Sequence, residues 1–245
     1  MGCLKAVILS LHPQARIVDL CHGISPQNIL QAASILETTY GYFPEGSIFV
    51  CIVDPGVGTN RNAVAVKSRR STFVGPDNGV LSLALAREKI LGIRKLTNRK
   101  FYRSETPSST FHGRDIFAPV AARLAMASGV GRFSELGPAL KSIHKLSVPR
   151  VKRSAGRLRG AILYFDHFGN AMTNIARRDA PETFWRKAEI SLKGRRLGRL
   201  CRTYADSRQL IALLNSFDQL EIALPNGSAK EAASLRCGDE IQIQS

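Results

Sequence analysis

The sequence predicts an α/β fold in two parts. An N-terminal domain has a mostly parallel sheet flanked by helices, and a smaller C-terminal domain is β-barrel-like. In the first part, short apolar runs alternate with helical patterns, as they do when helices cover a parallel sheet. After about residue 150, strand-like runs follow one another between turn residues, which is typical of a small barrel. We therefore assign residues 1–150 and 151–245 to the two domains, with a polar, basic linker at 147–156.

The elements of the first domain follow from apolar spacing and from turn residues. Ser25-Pro26 predicts a helix start, because Ser caps helices and Pro suits their first turn; Pro44-Glu45-Gly46 ends that helix. Apolar runs predict three strands, and apolar residues at helical spacing predict two further helices. The strands are 48–53, 63–66 and 72–74, and the helices are 80–89 and 116–127.

The second domain contains short strand-like runs that are separated by turns such as Pro225-Asn226-Gly227. A helical pattern occurs only at 229–235 and in the region after Arg178. The predicted strands are 160–165, 188–192, 209–214, 220–223 and 241–244.

Composition argues against several classes of protein. The five cysteines include no C-x-x-C pair, which argues against a disulfide scaffold or a zinc site and favours a reducing cytoplasm. No apolar stretch approaches the ~18 residues of a membrane span, and the N-terminus does not resemble a secretory signal. The histidines lack the spacing of helical metal ligands, so we expect no metal.

The net charge of +16 is unusual. One interpretation is binding to nucleic acid or another anionic surface, and the other is a solvated basic surface. No nucleic-acid-binding motif is present, and aromatic residues are not interleaved with the basic runs. We therefore do not expect nucleic-acid binding as the primary function, and we expect no membrane partner. The basic residues cluster at 67–70, 94–103, 150–159 and 193–202.

Asp54 is the first candidate site residue. It ends the apolar run 48–53 and is followed at once by Pro55 and Gly56, so it marks a strand end that opens into a tight turn. In open α/β sheets, ligands lie at the carboxyl ends of the strands. The alternative is an Asp that caps its own turn.

Two longer motifs contain Asp54 and two further polar residues. Residues 54–61 follow the pattern D-P-G-V-G-T-x-R, and residues 111–117 are F-H-G-R-D-I-F. Four more motifs lie at 73–79, 166–174, 202–204 and 215–223. Together, in this order and spacing, they resemble the signature of the S-adenosyl-L-methionine hydroxide adenosyltransferase family, which is related to fluorinating and chlorinating enzymes. The resemblance extends over nearly the whole chain.

The resemblance implies that S-adenosyl-L-methionine is hydrolysed to adenosine and L-methionine by attack of water or hydroxide on the ribose 5′ carbon. It assigns the catalytic roles to Asp54, Arg61 and His112. A carboxylate and an imidazole can hold a water and share its proton, and a guanidinium can stabilise the developing hydroxide. Halogenating relatives lack this trio, so its presence favours a hydrolase over a halogenase. A catalytically inactive basic scaffold or nucleic-acid-binding derivative of the same fold is the alternative from another class.

Taken singly, these side chains have plainer interpretations. Arg61 alone is more typical of a surface loop, and His112 alone is more typical of a packed histidine beside Phe111. Arg114 and Asp115 are interpreted as a structural ion pair and are left out of the catalytic set.

The resemblance also implies a substrate site to which both domains contribute, with no cofactor. Asn170 is expected at the adenine with Phe168 nearby, because an Asn amide donates and accepts together, and Asp166 is expected to face the methionine ammonium. Halogenases have an Arg at the position of Phe217, where it meets the methionine carboxylate, so that contact is unassigned here. The implied substrate-binding residues are Asp54, Asp166, Phe168, Asn170, Ser216, Glu221 and Leu224. The family resemblance further implies a homotrimer with sites at subunit interfaces.

The family opens with a strand and a T-D-F-G-like motif whose Asp binds the ribose hydroxyls. The resemblance begins after that motif, so we expect the first strand to be missing, with one sheet position vacant and a neighbouring edge unpaired. An internal start codon or a real deletion would each explain this, and either predicts weak or no activity for the chain as given.

Overall fold

The computed structural model of the protein describes residues 2–126 and 133–245. The chain divides into two compact units, Met1–Leu146 and Ser147–Ser245. Across the described ranges, no helix combines the length and the apolar character that crossing a membrane requires.

The first unit combines short helices and short strands. Its strands are β1 (Ile48–Val50), β2 (Ala63–Ser68), β3 (Thr72–Pro76) and β4 (Ile90–Lys95). Its helices are α1 (Gly2–Leu11), α2 (Ile29–Thr39), α3 (Ser82–Leu85) and α4 (Ala118–Ala125).

The sheet of the first unit is mixed, so the prediction of a mostly parallel sheet is wrong. The strand order is β1-β3-β2-β4: β1 and β3 are parallel, whereas β2 is antiparallel to both β3 and β4. Only Arg69, Arg70 and Ser71 lie between β2 and β3, and a parallel pair needs a crossover of about a dozen residues or more. The short turn therefore makes β2 and β3 a hairpin.

Helices nevertheless cover both faces of this sheet. Alternate residues of each strand point to opposite faces. On one face Leu36 of α2 belongs to a buried cluster with Phe73 of β3, and on the other Val74 of β3 is buried with Phe117 and Val120. The result is a mixed sheet between two apolar layers, which holds the strand ends and their loops in place.

Two of the helices differ from their predicted bounds. α2 begins at Ile29, because the side chain of Asn28, and not of Ser25, accepts the hydrogen bond from the Gln31 N–H at 2.9 Å. The helix predicted at 80–89 is reduced to α3. The one predicted at 116–127 begins earlier, as a π-helical turn at Gly113–Phe117 that continues into α4; residue 127 lies outside the described residues.

The second unit is a nearly closed antiparallel barrel, as predicted. Its strand order is β10-β11-β7-β6-β12-β8-β9, with β5 paired to β6. Cys201, just after β9, donates its N–H to the Ala212 carbonyl of β10 at 2.8 Å, which brings the two ends of the sheet together. The strands are β5 (Lys152–Ser154), β6 (Arg157–Phe165), β7 (Ala171–Ala176), β8 (Glu189–Leu192), β9 (Arg195–Arg199), β10 (Ile211–Leu214), β11 (Gln219–Ala223) and β12 (Glu240–Gln244).

The barrel interior is filled by branched aliphatic side chains. Ile190, Ile222, Ile241 and Ile243 are fully buried. Two short helices, α5 (Glu182–Trp185) and α6 (Ala229–Ala232), contribute Trp185 and Ala229 to the same core. This core fixes the turns that follow β6 and β10, which contain Asp166, Phe168, Asn170 and Ser216 of the predicted substrate-binding set.

Candidate active site

Asp54 lies four residues after β1, in an extended segment held against the sheet. The side-chain amide of Asn78 donates to the carbonyl of Val53 at 2.8 Å. The carbonyl of Asp54 then accepts the Val57 N–H at 3.2 Å, which closes a turn. Asp54 therefore has a fixed backbone, although the strand predicted at 48–53 ends earlier than expected.

The guanidinium of Arg61 donates two parallel hydrogen bonds to the carboxylate of Asp54. Its Nε donates to Oδ1 at 2.9 Å and its Nη2 donates to Oδ2 at 2.5 Å. The side chains of Arg61 and Asp54 are only 10% and 6% exposed, and the guanidinium carbon lies 5.4 Å from the centre of the Phe117 ring. Such bidentate, charge-assisted pairing fixes the orientation of both groups.

His112 is the third member of this cluster. Its Nδ1 lies 2.7 Å from Nη2 of Arg61. A guanidinium stays protonated in proteins and can only donate, so Nδ1 must accept and the imidazole proton must be on Nε2. Burial and the charge of Arg61 both lower the pKa of His112, which favours this neutral form. Among the described residues, Nε2 has no hydrogen-bond partner, so its N–H is available to a ligand.

Gly58 allows the two segments of the cluster to meet. Its φ is +79°, which favours glycine, and a Cβ at this position would lie 2.5 Å from the backbone carbonyl oxygen of Ser109. The turn after Asp54 and the loop before His112 are therefore in direct backbone contact. This close approach explains why a motif rich in glycine stands beside the cluster.

Asp115 fixes the loop that precedes His112. Its buried carboxylate accepts two hydrogen bonds from Arg114, at 2.7 and 2.8 Å, and one from the Ser108 N–H at 2.9 Å. The backbone carbonyl of Asp115 also accepts the Arg103 N–H at 2.9 Å. The Arg114 hydrogen bonds are the main cause that lowers the pKa of Asp115 to about 2. The interpretation of Arg114 and Asp115 as a structural ion pair agrees with this geometry.

In the second unit, Asp166 organises the turn between β6 and β7. Its carboxylate accepts the N–H groups of Phe168 and Asn170 at 2.9 and 2.8 Å, and the side-chain amide of Asn170 at 3.0 Å. Asn170 is buried, whereas Phe168 is 73% exposed. One amide hydrogen of Asn170 is thus engaged, and its Oδ1 has no partner among the described residues. That oxygen remains available to a ligand.

Glu221 is a buried carboxylate held by two neutral donors. It is 3% exposed, and it accepts the Tyr204 hydroxyl at 2.8 Å and the Asn215 side-chain amide at 3.1 Å. Burial raises the pKa of Glu221, and the nearby charge of Asp166 raises it further. Burial and Glu221 also raise the pKa of Tyr204. Two acidic groups therefore lie close together in this unit.

The remaining predicted residues flank this acidic region. Ser216 and Phe217 are exposed in the turn after β10, next to Asn215. Leu224 follows β11 and forms an isolated bridge with Gly227. Asp166, Asn170 and Glu221 thus come together, whereas Ser216 and Leu224 lie on adjoining turns.

Tyr204 and Asn215 were not predicted as site residues, although both stand in motifs that carry the family resemblance. The signal available in the sequence is their position in those motifs. Nothing in the spacing shows that both side chains would meet Glu221, because strand pairing brings them there. Across residues 2–126 and 133–245, no three His, Cys, Asp or Glu side chains are grouped to hold a metal ion.

Comparison with known proteins identifies the family. Residues 1–137 match the SAM hydroxide adenosyltransferase N-terminal domain, and residues 160–242 match the C-terminal domain of the same family, where SAM is S-adenosyl-L-methionine. The chain belongs to the SAM hydroxide adenosyltransferase family.

Curated relatives within this family are similar over almost the full chain. Proteins named (R)-S-adenosyl-L-methionine hydrolase from Thermus thermophilus and Salinispora tropica are 36% and 33% identical; each alignment covers 99% of this chain, and 93% and 92% of the relative. A fluorinase from an Actinoplanes species is more distant, at 28% identity over 71% of this chain and 66% of its own length. A crystal structure of an uncharacterized conserved protein from Thermotoga maritima has a TM-score of 0.87 and 33% identity, covering 100% of this chain and 94% of that one.

Replacing Asp115 tests its role as the fixed point of the His112 loop. Because its folded pKa of about 2 is below the ordinary value of 3.8, its carboxylate stabilises the protein above about pH 4, and this contribution is lost as the pH falls towards 2. We expect Asp115→Asn to lower the free energy of unfolding by about 2 kcal/mol near pH 5, with a smaller difference near pH 2. Urea unfolding at several pH values measures both quantities.

Glu105→Gln is the matched control, because Glu105 is an exposed carboxyl on the same loop. It should change stability by less than about 0.5 kcal/mol at either pH. A constant difference between Asp115→Asn and the natural protein across this pH range would contradict the assignment.

Proposed function

We propose that this protein hydrolyses S-adenosyl-L-methionine to adenosine and L-methionine. The observation that carries the proposal is the partly buried, hydrogen-bonded trio of Asp54, Arg61 and His112. Relatives named as (R)-S-adenosyl-L-methionine hydrolases, similar over nearly the whole chain, support it. The trio offers what a water nucleophile needs, which is one acceptor, one donor and a fixed positive charge.

The hydrogen-bonding groups of the trio fix the orientation of a bound water molecule. The neutral imidazole of His112 presents Nε2–H, so it donates a hydrogen bond to one lone pair of the water oxygen. The carboxylate of Asp54 has further lone pairs beyond those that Arg61 occupies, and it accepts a water O–H. The second lone pair of the water is then free to attack the 5′ carbon.

The chemistry balances without any further reagent. The water oxygen forms a bond to the 5′ carbon while the bond from that carbon to the sulfonium sulfur breaks. The sulfur keeps the electron pair and leaves as the neutral thioether of methionine. The proton released from the water passes to the Asp54 carboxylate, which acts as general base, and then to solvent.

Arg61 acts mainly as a positioning and electrostatic group. Its Nε, both Nη2 hydrogens and one Nη1 hydrogen are engaged by Asp54, His112 and the Asn62 carbonyl. It has five N–H donors, so one remains for the developing hydroxide. Its charge is pre-oriented in a buried site, where such stabilisation is stronger than in water.

The second unit supplies candidate contacts to the substrate. Asp166 and Glu221 form an acidic region that suits the methionine ammonium or an amino group of adenine, and the Oδ1 of Asn170 can accept from the adenine. Phe168, Ser216 and Leu224 complete the proposed set. A homotrimer with sites at subunit interfaces, and a cytoplasmic location, also belong to the proposal. S-adenosyl-L-methionine is the substrate, and no cofactor is proposed.

Isotopic labelling tests the identity of the nucleophile. In water labelled with oxygen-18, the label should appear on the 5′ oxygen of the adenosine, because that oxygen comes from the attacking water. Turnover should not depend on added chloride or fluoride. Mass spectrometry of the nucleoside product measures both. Recovery of 5′-halo-adenosine instead would show a halogenase.

Single substitutions test the trio. Asp54→Asn, Arg61→Ala and His112→Ala should each lower kcat by about 100-fold or more, the scale of general-base and electrostatic groups. The losses should not add in the double variants, since the three act as a unit. His22→Ala, at an exposed histidine, is the control and should leave kcat unchanged. Near-normal turnover in His112→Ala would remove that residue from the catalytic set.

Conservative replacements of His112 distinguish a hydrogen-bond donor from a base. Gln places an N–H donor near the position of Nε2 but cannot take up a proton, whereas Asn can replace only the acceptor that faces Arg61. We therefore expect His112→Gln to retain at least about tenfold more kcat than His112→Ala or His112→Asn.

The pH profile gives the second readout for His112. Since its pKa is lowered, activity should fall only below about pH 6.5, where protonation makes Nδ1 a donor that faces Arg61. This acid limb of kcat/KM should be absent in His112→Gln. If Gln is as inactive as Ala, His112 is a base and not a donor.

A further inference from the structure

One face of the barrel in the second unit is polar and strongly basic. It is the outer face of five adjacent strands, in the order β5-β6-β12-β8-β9. Strand register aligns two rows of residues across it. The first row is Lys152, Arg159, Gln242, Ser191 and Arg196, and the second is Ser154, Arg157, Gln244, Glu189 and Arg199. We call these ten residues the basic face.

Burial along the strands shows that this face points outward. In β12 the residues Ile241 and Ile243 are fully buried, whereas Gln242 and Gln244 are exposed. Successive side chains of a strand point to opposite faces, so every residue paired in register with these two glutamines is also on the outside. The basic face is therefore a continuous surface and not a set of scattered loop residues.

Most cations of the basic face are unpaired. The side chains of Lys152, Arg157, Arg159 and Arg199 form no ion pair or hydrogen bond with any residue in 2–126 or 133–245. Arg196 pairs with Glu189 at 2.6 Å. Elsewhere in this unit several cations do find acidic partners, including Arg153 with Asp179 and Arg177 with Asp218.

The arrangement places like charges opposite one another. Lys152 and Arg159 are direct cross-strand partners, and such pairs have Cβ atoms about 5 Å apart and are destabilising when their charges are alike. Arg157 lies two residues from Arg159 on the same face, about 7 Å away. The positive charges of Lys152, Arg157 and Arg159 repel one another, and no acidic side chain of the unit pairs with them. This arrangement indicates that the compensating negative charge belongs to a binding partner.

The residue types and dimensions of the basic face indicate which kind of anion it binds. No aromatic residue is present in either row, so bases have no platform on which to stack, which disfavours single-stranded nucleic acid. The five strands span about 19 Å at ~4.8 Å spacing, and a duplex carries one charge per ~1.7 Å of axis, or about eleven over that length. Phosphate oxygens can accept hydrogen bonds from the guanidinium groups of the arginines, from the ammonium group of Lys152 and from the side-chain amides of Gln242 and Gln244.

We propose that the basic face binds the phosphate backbone of duplex nucleic acid without sequence preference. This property is separate from hydrolysis of S-adenosyl-L-methionine and does not rest on it, since no residue of the face belongs to the proposed catalytic or substrate-binding set. It accounts for part of the net charge of +16.

Two matched triple variants of the full chain test this inference. The face variant is Lys152→Gln, Arg157→Gln and Arg159→Gln. The control variant is Arg186→Gln, Lys187→Gln and Arg208→Gln, which removes the same charge from exposed, unpaired positions outside the two rows. Fluorescence anisotropy with a labelled DNA duplex of about 25 base pairs, over a salt series, gives the affinity and its salt dependence.

The natural protein should bind the duplex more tightly than a single strand of the same length. At about 0.1 M salt, the face variant should lose about 30-fold or more in affinity, and its log–log salt slope should become shallower by about 3. The control variant should stay within about threefold of the natural protein in affinity. Thermal unfolding should show that both variants are folded.

Four outcomes would overturn the inference. The natural protein could fail to bind the duplex even at about 0.05 M salt. The face and control variants could lose affinity equally, which would show an effect of net charge alone. A single strand could bind more tightly than the duplex. In a parallel assay with vesicles of anionic lipid, the face variant could lose binding to the vesicles and keep its binding to the duplex.

Discussion

Within the trio, only the guanidinium of Arg61 connects the segment that contains Asp54 with the segment that contains His112. It holds both oxygens of Asp54, contacts Nδ1 of His112 and lies against the ring of Phe117. Because a guanidinium donates and never accepts, both neighbours must accept from it: Asp54 with its carboxylate oxygens and His112 with Nδ1, which leaves the imidazole proton on Nε2. The single cation of Arg61 therefore determines which atoms of the cluster can donate a hydrogen bond to a ligand and which can accept one.

The rest of the first unit maintains that contact. The mixed sheet fixes the strand ends, Gly58 lets two loops touch, and Asp115 holds the loop that contains Ser108. None of these features contacts a reacting atom in the proposed mechanism. Each removes a degree of freedom that would separate His112 from Arg61, and a shift of about 1 Å is enough to impair such a site.

Much of the fold could be predicted from the sequence, and the failures have physical causes. The barrel strands β8, β11 and β12 agree with the predictions within a residue or so, because in each of them apolar and polar residues alternate between turn residues. Strand direction in the first unit could not be read from apolar runs, since it depends on the length of the β2–β3 turn. The start of α2 was misplaced because Ser25 and Asn28 are both good caps, and tertiary context selects Asn28.

The candidate site shows the same division. Asp54, Arg61 and His112 were found because they stand in two motifs of fixed spacing, and the structure brings them together. Tyr204 is 17 residues from Glu221 and could not be paired with it from the sequence, because the contact depends on barrel closure. Local motifs therefore indicate which residues matter, whereas long-range packing decides how they are held.

The separation of the trio along the chain has a consequence for how the cluster comes apart. Asp54 and Arg61 are 7 residues apart, whereas Arg61 and His112 are 51 apart. The carboxylate and the guanidinium belong to one short segment, whereas the imidazole reaches Arg61 only because its loop contacts the turn after Asp54 at Gly58 and Ser109. Local fluctuation of the loop before His112 would then interrupt the cluster without unfolding the sheet.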